Sequence, residues 1–219
     1  EEKFKFSDLG VIFKNPGFWL IAFLCLLFYS GVFPFLKFAS DLMVNKYGVS
    51  PKLAGTIPSI LPFGTILLTP IFGSIYDKIG KGATLMLLGS LLLTICHILF
   101  ALPILNTVWF AVVVMIFLGI SFSLVPSAMW PSVPKIIPMK QLGSAYAIIF
   151  YIQNIGLMLV PMLMGKVIES YTDANGSVNF TVPMIIFASF GVIAIFLAIA
   201  LRILDGKKHY GLEQANIKK

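Results

Sequence analysis

Six long, nearly uncharged stretches separated by short polar segments make up most of this 219-residue chain. They fall at about residues 17–43, 52–76, 82–102, 108–129, 141–168 and 182–204. Each holds roughly 20–28 residues, and about 20 are enough to carry a helix across a 30 Å hydrocarbon core. Lipid offers the backbone no hydrogen-bond partner, so runs of this length predict helices. The expected fold class is therefore all-α membrane protein, with a six-helix transmembrane bundle over residues 16–204. Residues 1–15 read as a cytoplasmic lead-in, amphipathic through Phe4, Phe6, Leu9, Val11, Ile12 and Phe13, and residues 205–219 as a cytoplasmic tail.

Proline and glycine modify this picture. The first span carries Gly31 and Pro34, and the second carries Pro58, Pro62 and Pro70 with Gly55, Gly64 and Gly73. That density would disqualify a soluble helix but suits close packing and bending in a bundle. Pro103 to Asn106 turns the third span, and Pro131, Pro134 and Pro138 are expected to end the fourth.

Composition excludes several function classes. The chain is 58% hydrophobic and 11% charged, too few charges to cover a soluble surface. Its net charge of +7 lies in short segments beside apolar spans, which points to lipid headgroups and not to nucleic acid. With the head placed inside, Lys3, Lys5, Lys14, Lys78, Lys81, Lys135, Lys140, Arg202, Lys207, Lys208, Lys218 and Lys219 are all cytoplasmic. Only Lys37, Lys46, Lys52 and Lys166 remain on or near the other side. The positive-inside rule then places both termini in the cytoplasm. Cys25 and Cys96 lie inside apolar spans with no ligand cluster, so no disulfide, metal or cofactor is expected. Two distant histidines and no intramembrane acid pair argue against a membrane enzyme.

The loop after the second span reads Gly73-Ser-Ile-Tyr-Asp77-Lys78-Ile-Gly80-Lys81-Gly82. Gly80 and Gly82 supply turn conformations barred to other residues. Asp77 is expected to cap the following helix or pair with a cation. The pattern G-x-x-x-D-[RK]-x-G-[RK] resembles the signature of the major facilitator superfamily. There it recurs between the second and third helices of each six-helix half. The resemblance implies a gating role for Gly73, Asp77, Lys78, Gly80 and Lys81, latching the cytoplasmic side when a transporter faces outward. It also implies that this chain is half of a twelve-helix fold, its partner being the missing N-terminal half. The basic head and tail identify it as the C-terminal half, helices 7 to 12.

A narrower resemblance covers Trp130-Pro131-Ser132-Val133-Pro134, Pro138, Leu142-Gly143-Ser144-Ala145-Tyr146 and Ile152-Gln153-Asn154-Ile155-Gly156. These segments are similar to the helix 10–11 hairpin of the lysosomal dipeptide transporter branch, with Ser144 in place of the usual threonine. The resemblance implies transport of dipeptides or amino-acid-like cargo by facilitated uniport, without a cofactor. Another organic anion or a sugar as cargo, and a non-transporting scaffold or sensor of the same fold, are the alternative readings. The lysine-rich composition favours a bacterial inner membrane, with a lysosomal membrane the eukaryotic alternative.

In that family helices 7, 8, 10 and 11 line the cavity, which selects the site candidates. Gln153 and Asn154 lie midway along helix 11, and an amide offers a peptide both donor and acceptor. Adjacent helical positions point about 100° apart, so one amide faces cargo, Gln153 ahead of Asn154. Tyr29 and Tyr151 sit at depths suited to stacking or hydroxyl contacts. Lys37 and Asp41 share one helix face at i, i+4. About 22 uncharged residues precede Lys37, or roughly 33 Å of helix, which puts it near the outer interface. Snorkelling explains a lysine there; the functional reading has it receive a substrate carboxylate, with Asp41 its resting partner. Trp130, close to the cytoplasmic end, reads as a gate or interfacial residue. Gly119, Ser121, Ser123 and Ser127 form a small-residue packing stripe, and His97 is read as structural.

Overall fold

The computed structural model describes residues 6–217, with side chains from Leu9 onward. The sequence expectations for Lys3, Phe4, Lys5, Lys218 and Lys219 lie outside the described residues. An amphipathic helix α1 (Phe6–Phe13) leads into six long helices: α2 (Pro16–Tyr47), α3 (Thr56–Ile79), α4 (Gly82–Ala101), α5 (Val108–Ile136), α6 (Leu142–Ser170) and α7 (Thr181–Lys208). All six are long and apolar enough to cross a membrane.

Local chemistry sets the helix ends. The Asn15 side chain accepts the Gly17 N–H at 2.9 Å, and Pro16 follows at the first helical position. Gly48, at φ 66°, ends α2 with its N–H on Val44, while Val49 reaches back to Met43. α2 thus continues past residue 43 to Tyr47. In the last turn Lys46 Nζ donates to the carbonyls of Phe100 at 2.5 Å and Leu102 at 2.6 Å. It closes the carbonyl end of α4, as a cation at a helix C-terminus should.

The largest departure from expectation is α5. It does not stop at Pro131 but runs through Pro131 and Pro134 to Ile136. Proline at 134 removes the N–H that would have met the Trp130 carbonyl. The hydroxyl of Tyr146, on α6, donates to that carbonyl instead, at 3.1 Å. The helix therefore survives its prolines with help from a neighbour.

The helices pack in the order α3–α5–α4–α7–α2–α6, and a further α2–α5 seam closes the middle. α3 leans chiefly on α5 and α6 chiefly on α2, so these two flank the seam. Both leave apolar side chains exposed: Phe63, Ile66, Leu67 and Ile71 on α3, and Tyr151, Met158, Met162 and Leu163 on α6. The serine stripe of α5 is packing chemistry. Ser121 Oγ donates to the Gly89 carbonyl of α4 at 2.7 Å, and Ser127 Oγ to Thr69 of α3 at 3.1 Å. His97 is fully buried, with its Nε2 2.8 Å from the Gly31 carbonyl and its ring against Phe35 and Phe187.

Candidate functional site

Between α3 and α6, the seam of α2 and α5 carries an aromatic basin. Tyr29 and Phe33 are one turn apart on α2, and their rings stack at 5.7 Å. Phe122 of α5 meets both edge-on, at 5.5 Å and 5.2 Å. Trp130, two turns further along α5, donates from Nε1 to the Tyr29 hydroxyl at 3.1 Å. Phe150 of α6 stacks on Trp130 at 4.7 Å. Phe33 and Phe150 keep 40% and 48% of their surface exposed, so the basin opens outward. Edge-to-face and offset pairs of this kind hold rings in fixed positions. Trp130 closes the end of this basin nearer the α3–α4 loop.

The amides of α6 divide in the order opposite to the sequence expectation. Gln153 is 6% exposed and faces α2, accepting from the Cys25 thiol at 3.5 Å. It shares its stripe with Ala145, Ile149, Gly156, Val160 and Met164, all buried. At Gly156 a Cβ would run into Ser30 Oγ, so the two helices touch there. Asn154 is exposed, donating from Nδ2 to the Phe150 carbonyl at 2.7 Å, which puts it one turn from the basin wall. Tyr151 is 70% exposed on the same side. The packed stripe selects which amide turns inward.

Lys37 and Asp41 continue the Tyr29–Phe33 stripe at intervals of four residues. Both are exposed, and no ion pair links them among the described residues. The expected resting pair is therefore not formed. Lys37 stands one turn, about 6 Å, outward of Phe33.

At the end of the bundle where the chain leaves α7, the α3–α4 loop turns through two residues of positive φ, Gly80 at 71° and Lys81 at 66°. Among the described residues Asp77 neither caps α4 nor meets a cation. Its carboxylate accepts Asn216 Nδ2 at 2.7 Å, from the segment following α7. The N-terminus of α4 is capped by Glu213 of that segment, which accepts the Thr84 N–H at 2.9 Å and hydroxyl at 2.7 Å. Lys78 and Lys81 are exposed. A Cβ on Gly73 would meet nothing within 4 Å, so no contact inside this chain needs a glycine there.

Phe33, Phe122 and Phe150 were not legible as site residues, since phenylalanine in a membrane span is unremarkable. The signal available was the spacing of Tyr29, Phe33 and Lys37 on one face.

Residues 18–216 match the sequence pattern of the family described as Major Facilitator Superfamily. The lysosomal dipeptide transporter MFSD1 of Homo sapiens is 33% identical over 152 residues, 69% of this chain and 32% of that protein. MFSD1 of Mus musculus is 31% identical over 196 residues, 89% of this chain and 40% of that protein. The chain thus spans a third to two fifths of the relatives it matches. Among solved structures, a peptide transporter POT in complex with sulfate superposes with a TM-score of 0.75 at 18% identity, covering 92% of this chain and 40% of the other. A POT family transporter in complex with 5-aminolevulinic acid gives 0.68 at 17% identity, covering 94% and 42%. At such identities the structures speak for the fold alone, that of six helices in a larger transporter. Loop motif, six spans and family match agree, and the chain belongs to the major facilitator superfamily.

Proposed function

We propose that the chain is the C-terminal half of a transporter that carries short peptides or amino-acid-like solutes by alternating access. Cargo binds between this half and its N-terminal partner, and the two rock about the bilayer midplane. The observation that carries this reading is the α2–α5–α6 basin: aromatic surface for a cargo side chain, with Asn154 at its wall and Lys37 at its outer rim. Aromatic faces take up apolar side chains, an amide serves either peptide-backbone group, and a lysine attracts a terminal carboxylate. Tyr29, Tyr151 and Asn154 contact cargo in this reading. Gln153 holds α6 to α2 and acts through that seam.

The names of the curated relatives support peptides as cargo. α4 carries no charged residue, and α5 carries only Lys135, near its cytoplasmic end. Those two helices offer no acid, and the carboxylate of the buried Asp205 on α7 is taken up by two backbone N–H groups, which supports facilitated uniport without a proton carrier in this half. The distribution of basic residues supports cytoplasmic termini in a bacterial inner membrane.

The test is counterflow of a labelled dipeptide by the two-half protein in liposomes, with and without a pH gradient. Saturable exchange indifferent to the gradient is the expected result. No exchange by folded protein would remove the peptide assignment.

A further inference from the structure

The segment after α7 is built into the gate loop from three sides. Asp205 is 7% exposed, and its carboxylate accepts the backbone N–H groups of Leu212 at 3.1 Å and Glu213 at 3.3 Å. The carbonyls of the same two residues accept the N–H groups of Gly82 at 2.8 Å and Lys81 at 3.2 Å. Two residues thus link a carboxylate on α7 to the loop between α3 and α4 through their backbone groups. Lys135 of α5 clamps the segment from the other side, donating to the carbonyls of Gly211 at 3.0 Å and Gln214 at 2.9 Å. Glu213 caps α4 as described above.

The tip is held differently. Asn216 and Ile217 donate their backbone N–H groups to the Asp77 carbonyl at 2.9 Å and 3.0 Å, and the Asn216 amide takes the Asp77 carboxylate. Both tip residues are exposed. An amide satisfies a carboxylate oxygen without neutralising it. A cation makes a stronger, charge-assisted bond to the same group. The segment therefore has a firm root at Asp205 and a tip that a competing cation can displace. Gly80 belongs to the arrangement, since a Cβ there would collide with the Gln214 backbone.

We propose that residues 211–217 form a strap that sets the gate loop, with Asp205 as its positioning residue and Asp77 as the group it withholds from the opposite half. The proposal rests on the transport reading above and adds a control to its gate. With the tip down, Asp77 is occupied and the cytoplasmic latch is open. When the tip lifts, Asp77 is free to meet a cation of the partner half, and the cytoplasmic side closes.

The experiment uses the full two-half protein in liposomes with a cysteine reporter, Gly143→Cys, at the cytoplasmic end of α6, where a Cβ meets nothing within 4 Å. Native Cys25 and Cys96 are buried. Maleimide labelling from the cytoplasmic side reads the gate directly, and exchange of labelled dipeptide gives KM and Vmax. Asn216→Asp sets a second carboxylate beside Asp77 and lifts the tip. The expected result is labelling slowed on the order of tenfold, the population shift of one hydrogen bond to a charged group, with Vmax altered and KM unchanged. Asn216→Ala shifts both in the same direction by less. Asp205→Asn follows Asn216→Asp, and Asp205→Glu restores the parent behaviour. Thermal unfolding checks each variant; if Asp205→Asn does not fold, the exposed Asn216 variants carry the test. Unchanged labelling in both Asn216 variants overturns the strap. A labelling shift in a protein that exchanges no dipeptide supports the strap and sinks the peptide assignment instead.

Discussion

Trp130 and Tyr29, 101 positions apart in sequence, are joined by a hydrogen bond from indole Nε1 to phenol oxygen at 3.1 Å. The bond ties α5 to α2 at the end of the basin nearer the α3–α4 loop. Tyr29→Phe removes the acceptor and leaves the ring, and is expected to cost about 1 kcal/mol, read as a lower unfolding midpoint. Trp130→Phe loses the same bond and part of the stack on Phe150. A midpoint unchanged in Tyr29→Phe would mean the bond contributes nothing.

Phe122 touches Tyr29 and Phe33 at once. Phe122→Ala is expected to raise KM about tenfold for dipeptides with large apolar side chains, and far less for Gly-Gly. A uniform rise across a dipeptide panel would remove Phe122 from cargo selection.

Ser30 and Gly156 face each other where α6 packs on α2. Gly156→Ala places a methyl on Ser30 Oγ and is expected to destabilise by about 1–3 kcal/mol. Ser30 Oγ is buried without a hydrogen-bond partner, so Ser30→Ala is expected to be neutral or stabilising. In the double variant Ser30→Ala relieves much of the Gly156→Ala loss. Simple additivity of the two midpoints would refute the clash.

Lys46 holds two carbonyls at the end of α4. Lys46→Met keeps the length and removes the charge, with an expected cost of about 1–2 kcal/mol. Lys37→Met, at an exposed position without an ion pair, is expected to leave stability unchanged while weakening dipeptide binding. Reversed effects on midpoint and KM would exchange the roles assigned to these lysines.

The six helices were legible because a span must be long and apolar whatever its neighbours do. The end of α5 was not. Pro131 and Pro134 carry a strong local stop signal, and the group that relieves it, the Tyr146 hydroxyl, comes from another helix. The choice between Gln153 and Asn154 was legible in principle. Gly156, Val160 and Met164 repeat at helical spacing from Gln153 and mark the packed face. The strap was nearly silent, because most of its bonds use backbone groups, which leave no trace in side-chain patterning. Asp205, an acid beside an apolar run that proves to be buried, was its one sign.

The lopsided attachment of α3 and α6 bears on how such a protein is made. Each has one principal neighbour inside this half and a long apolar strip outside it. As the helices leave the insertion machinery, α2, α4, α5 and α7 can settle against one another at once. α3 and α6 stay incompletely matched until another set of helices reaches them. A half inserted without its partner is therefore expected to be degraded faster than the two-half protein, a difference that pulse-chase labelling reads.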